Sequence, residues 1–87
     1  FEIFGWFEIQ CAHTDIEPIA AEIARIDNVF SISRFFENPF LLVMVFAGDM
    51  AELKAIMSRC AAVEGVDALC ADLSLGDACI KTGIAAL

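Results

Sequence analysis

The chain has no tyrosine, a single histidine and no pair of cysteines at C-x-x-C spacing. Zinc knuckles and redox motifs both need close cysteine pairs, and Cys11 with His13 supplies only two of the three or more ligands a metal site requires. A metal centre is therefore not expected, and no cofactor is implied. Cations are scarce as well. Arg25, Arg34, Lys54, Arg59 and Lys81 are the whole set, and they are scattered, so the chain lacks the basic footprint that phosphate backbones demand. The five glycines are isolated, which leaves no phosphate-cradling loop. No apolar stretch approaches the roughly 18 residues needed to span a bilayer. Phe1-Glu2-Ile3 lacks the basic start of a signal peptide, so no membrane association is expected.

What the sequence does contain is apolar surface. Sixty per cent of the residues are hydrophobic, eight of them Phe and one Trp, where a soluble domain usually holds about 45–50% even counting glycine. A chain of 87 residues supports one modest core. The excess points to a partner chain. Acidic residues outnumber basic ones 13 to 5, for a formal net charge of −8, which reads as a solvated surface that keeps an adhesive domain in solution. Cys11, Cys60, Cys70 and Cys79 read as reduced core thiols, and hence as a sign of a cytoplasmic protein.

Periodicity divides the chain clearly. Residues 2–11 alternate, with Ile3, Phe7, Ile9 and Cys11 on one face and Phe4, Trp6, Glu8 and Gln10 on the other, which predicts a strand. Ile16, Ile19, Ala20, Ile23 and Ile26 then recur at helical spacing. Thr14-x-x-Glu17 has capping-box spacing, but Pro18 favours Asp15 as the cap. A second strand is expected over 29–37, with Phe30, Ile32 and Phe36 on one side and Val29, Ser31, Ser33 and Phe35 on the other. Glu37-Asn38-Pro39 supplies turn chemistry before the unbroken apolar run Phe40–Ala47, so strands two and three form a hairpin. Asp49-x-x-Glu52 opens a second helix whose buried face carries Met50, Leu53, Ile56, Met57 and Cys60. A last strand is expected over 67–75. Ile26-Asp27-Asn28-Val29 and Val63-Glu64-Gly65-Val66 both place a residue tolerant of the left-handed conformation at the helix exit.

Strand, helix, strand, strand, helix, strand with right-handed crossovers gives an α+β, ferredoxin-like βαββαβ sandwich. It comprises a four-stranded antiparallel sheet with two helices on one face, over a core of residues 1–76, followed by a short C-terminal tail, 77–87. Strands one and three are central. The run Phe40–Ala47 is strand three, so one of its sides meets the helices and the other lies on the open face, where only another molecule can cover it. Phe4, Trp6, Leu42, Met44 and Phe46 are the expected dimer seam.

Catalysis finds little support. His13 has no nucleophile with an acidic orienter at telling spacing, and Asp67 and Asp72 have opposite parities on the last strand. No catalytic residue is assigned.

The chain resembles the C-terminal effector-binding and oligomerisation domain of the leucine-responsive/asparagine regulator (Lrp/AsnC) family of transcription factors. The resemblance lies in Trp6-Phe7-Glu8-Ile9, Ala24-Arg25-Ile26-Asp27-Asn28-Val29, the hairpin into Leu41-Leu42-Val43, Asp49-Met50-x-Glu52-Leu53, and Val63-Glu64-Gly65-Val66. The ending Lys81-Thr82-Gly83-Ile84-Ala85-Ala86-Leu87 is similar to that family's Lys-Thr-x-x-Leu. The resemblance implies a homodimer built by packing two sheets face to face, often four dimers closed into an octameric ring, and amino acids bound between dimers. It also implies DNA binding through an N-terminal helix-turn-helix that this chain lacks. One departure stands out. The family's hairpin commonly reads Gly-x-Tyr-Asp before the Leu-Leu pair, and here those positions are Glu37, Asn38, Pro39 and Phe40. The usual carboxylate for an amino acid's ammonium group is gone, with Glu37 a nearby substitute. By position the ligand-lining residues are Arg34, Phe36, Glu37, Asn38, Phe40, Asp72 and Ser74. Two other readings share the topology: a small dimeric α+β barrel enzyme using His13, and an amino-acid-binding regulatory domain of the ACT type, whose usual glycine is missing from His13-Thr14-Asp15.

Overall fold

The computed structural model describes residues 2–75 and 78–86, with side chains through Ser74. The elements run β1 (Ile3–Cys11), α1 (Ile16–Ile23), β2 (Val29–Phe35), β3 (Phe40–Ala47), α2 (Met50–Ala61), β4 (Val66–Leu75) and β5 (Ala78–Ala86), with a short 3-10 turn at His13–Asp15. All neighbouring strands are antiparallel, in the order β2-β3-β1-β4-β5. The first four strands and two helices form the expected ferredoxin-like α+β sandwich, with β1 and β3 at its centre. The segment expected as a tail supplies a fifth strand that pairs along β4. The expected division at 76/77 lies outside the described residues, as do Phe1 and the side chain of Cys79.

Alternation in the sequence becomes two chemically distinct faces. Ile3, Phe7 and Ile9 of β1, Leu41, Val43 and Val45 of β3, and Leu69 and Leu73 of β4 point towards the helices and are fully buried. Ile16, Ile19, Ala20 and Ile23 of α1 and Leu53, Ile56 and Cys60 of α2 close that side. Each large side chain removed from water in this layer contributes about 1.5–3 kcal/mol. Gly5 sits where α2 approaches β1: a Cβ there would lie 2.8 Å from the Leu53 Cδ1 and 3.3 Å from the Val45 Cγ2. The missing side chain is what lets Leu53 pack against the sheet.

Both helices end in the same run of turns. Ile26 N–H donates to the Ile23 carbonyl and Val29 N–H to that of Ile26, while Val63 donates to Cys60 and Val66 to Val63. The echo expected at Asn28 and Gly65 holds in this hydrogen bonding but not in conformation. Gly65 alone has a positive φ, +97°, and no non-glycine residue does among those described. Asn28 instead ties strands together. Its side-chain amide donates to the Phe46 carbonyl at 2.9 Å, and its own carbonyl accepts from the Phe46 N–H at 3.1 Å.

The helix starts differ. Asp49 is extended and its carboxylate accepts from the Glu52 N–H at 2.8 Å, while the Glu52 carboxylate reaches back to the Gly48 N–H at 2.7 Å. Asp15 holds the capping position of α1, as expected, but makes no capping bond, because the preceding 3-10 turn leaves it in a helical conformation. Pro18 falls in the first turn, where no intrahelical N–H is needed.

Cys11 and Cys60 are buried free thiols and Cys70 is a half-buried one. Burial pushes the Cys60 thiol up from its ordinary 9.0 to about 11, against a smaller lowering by Arg59. Because the folded value is raised, the contribution of Cys60 to stability is complete below pH 9 and disappears as pH rises through about 11. A melting temperature that falls between those values in the wild type and less in Cys60→Ala is the expected result. Asp49→Ala should cost about 1 kcal/mol by chemical denaturation. Gly65→Ala should cost about 1–2 kcal/mol, since it combines the strained φ with a Cβ 3.2 Å from the Asp15 Cγ.

Candidate functional site

The face of the sheet away from the helices carries the unexplained chemistry. Register places its residues in rows across β3, β1 and β4: Phe46, Phe4 and Ser74; then Met44, Trp6 and Asp72; then Leu42, Glu8 and Cys70; then Phe40, Gln10 and Ala68. One end of this face is aromatic. Phe4 lies 5.3 Å from Trp6 and 5.6 Å from Phe46, ring centre to ring centre, and Phe30 stacks on Phe46 at 4.7 Å. Phe30 was expected to share a side with Ile32. A register shift between Val29 and Ser31 turns it onto the open face instead, because a bulge adds one residue and reverses the parity behind it. Phe30 and Phe46 remain about half exposed, at 51% and 44%.

The other end is a cleft. Glu8 and Gln10 of β1, Asn38, Pro39 and Phe40 of the hairpin, and Cys11 and Asp67 surround a space of about 570 Å³. Asp67 reaches it through a second irregularity: Gln10 pairs with Ala68 but Cys11 with Val66, so Asp67 is the extra residue of a bulge. Phe40 forms the wall nearest β2, with Phe35 stacked on it at 4.3 Å. Among the described residues, two carboxylates and two amides line the cleft, and none of the lining side chains is a cation. Burial, together with the carboxylates of Asp15 and Asp67, pushes the Cys11 thiol up, so it stays protonated at neutral pH.

The expected ligand residues do not converge on one place. Asn38 and Phe40 line the cleft. Glu37, exposed, sits beside them in the turn. Phe36 lies just past the end of β2, its ring edge-on to His13 at 5.5 Å. Arg34 pairs with Leu41 on the helix side, and its Nε donates to the Glu17 carboxylate of α1 at 2.6 Å. Asp72 and Ser74 stand in the rows of Trp6 and Phe4, at the aromatic end. The Asp72 Oδ1 is shut off from solvent without a hydrogen-bond partner among the described residues. Glu8, Gln10 and Asp67 were missed. The first two were recoverable from the pairing of β1 with β3, which sets Gln10 opposite Phe40; the Asp67 bulge left no sequence signal.

His13 is exposed, on the 3-10 turn. The space between α2 and the sheet, bordered by Phe7, Leu53, Met57 and Leu73, amounts to about 50 Å³, against the roughly 300–1,000 Å³ of ordinary ligand pockets. No group of three or more metal-binding side chains occurs among the described residues. Nor, among them, is any helix long and apolar enough to cross a membrane.

No family model and no curated protein matches the chain. Among solved structures, AsnC from E. coli is similar over 92% of this chain, with a TM-score of 0.76 and 11% sequence identity. The chain spans 55% of the length of that protein. The chain therefore has the fold of a part of AsnC.

Proposed function

We propose that this chain is the effector-sensing and oligomerisation domain of an Lrp/AsnC-like transcriptional regulator, a cytoplasmic protein whose DNA-binding helix-turn-helix lies outside these residues. The observation that carries the reading is the aromatic open face, joined to a fold shared with AsnC and to the sequence resemblance. Two such faces packed together form a homodimer, which can build further into a ring. Phe4, Trp6, Leu42, Met44 and Phe46 are its seam, with Phe30 added by the bulge. The family's regulatory role is not enzymatic, and His13 is exposed rather than set in the 50 Å³ space between α2 and the sheet, which supports this reading over the barrel-enzyme one.

The hairpin cleft is the proposed effector site. Its Glu8 and Asp67 carboxylates suit an ammonium group, and its Phe40 wall suits an apolar side chain. No described lining residue offers a positive charge to an α-carboxylate, which would be left to the amides of Gln10 and Asn38. The effector is thus a small ammonium-bearing molecule, such as an amino acid, held chiefly by its positive end.

Phe46→Glu tests the seam. Phe46 is already 44% exposed in the single chain, so the variant should fold. In sedimentation equilibrium at micromolar concentration the wild type should run as a dimer or larger, and the variant as a 9.4 kDa monomer with an unchanged circular dichroism spectrum. A wild-type monomer would overturn the assembly reading. For the cleft, a thermal-shift screen of the twenty amino acids and simple diamines should favour the diamines. A ligand at one hundred times its Kd adds about 2.7 kcal/mol of stability, so strong stabilisation by leucine or asparagine would contradict this description of the site.

A further inference from the structure

Glu8 belongs to both features of the open face. It stands on a central strand between Leu42 and Cys70, and it also lines the cleft. Few titratable groups surround it. On its own strand Cys11 borders the cleft; β4 brings Asp67, Cys70 in the same row and Asp72 one row on. The hairpin turn carries Glu37. β3 and β2 offer this face only apolar and hydroxyl-bearing residues. In β5, Ile84 pairs with Cys70 in the row of Glu8, and Lys81 pairs with Asp72. No cation faces Glu8 among the described side chains.

We propose that Glu8 links assembly to proton uptake: its negative charge opposes the closing of two sheet faces, and neutralising it strengthens the closed state. The proposal rests on the face-to-face dimer described above. Closing the seam takes the carboxylate out of water beside leucine, methionine and tryptophan, with no cation supplied by the described side chains, which disfavours the charged form. Burial in the seam therefore makes the group hold a proton more tightly in the dimer than in the free chain, where it is exposed. Assembly is weakest where Glu8 is ionised in both states. It strengthens as pH falls through the raised value, with one proton taken up by each copy at most.

Sedimentation equilibrium of the full chain at pH 7.5 and pH 5.0 tests this, using wild type, Glu8→Gln and Glu64→Gln. Glu64 lies beyond α2 on the helix side, so its variant reports the general relief of the −8 charge without touching the open face. The wild type and Glu64→Gln should associate at least about tenfold more tightly at the lower pH. Glu8→Gln should already be tight at pH 7.5 and change several-fold less. A wild-type dimer whose pH dependence Glu8→Gln fails to reduce would overturn the proposal and leave the seam standing. Monomers in all three proteins at both pH values would overturn the seam, and the proposal with it.

Discussion

Everything in this structure depends on β3 being apolar on both of its sides. Leu41, Val43, Val45 and Ala47 complete the layer under the helices, and Phe40, Leu42, Met44 and Phe46 stand on the opposite face. A sheet packed on one side normally alternates apolar with polar residues, which allows its other side to meet water. Here only one side is covered by the chain's own helices. The partner face keeps Phe30 and Phe46 about half exposed while their rings gather with Phe4 and Trp6 into one cluster. Sheet pairing and helix packing therefore fix the fold, and the same residues leave a surface that calls for a second covering.

That surface is graded along its length. At one end the aromatic rings make an adhesive patch. At the other, the hairpin and two bulges assemble a polar cleft in which Glu8, Asp67 and Phe40 meet. In the proposed function, this gradient lets a single sheet hold together an assembly and still present a binding site. Glu8 stands at the boundary, where the charge useful to a cationic ligand is the charge that resists closure.

Elements with strong periodicity were legible in the sequence, because their side chains report directly which face is dry. β1, β3, the buried stripe of α2 and the βαββαβ order follow from Ile3, Phe7 and Ile9, from the run Phe40–Ala47, and from Leu53, Ile56 and Cys60. Irregular backbone was not legible. Phe30 and Asp67 owe their positions to bulges, which reverse or interrupt parity without a residue type that announces them. Asn28 is the instructive middle case: its residue type fits a left-handed cap, yet the strand ends nearby gave its amide a better partner in the Phe46 carbonyl. Arg34 likewise found an acidic partner across the helix layer, Glu17, which no local pattern reveals. The fifth strand was unannounced because its pairing partner, β4, already ended the expected topology.

If a second copy of the chain covers the open face, the lone tryptophan lies within the covered surface. Trp6 emission and its quenching by acrylamide, followed while the protein is diluted from high micromolar to low nanomolar concentration, report on that face directly. Emission should be blue-shifted and protected at high concentration, then move to the red and become quenchable on dilution, with the change lost in a seam-disrupted variant. Emission and quenching that stay constant across the whole range, at the values of a half-exposed indole, would contradict it.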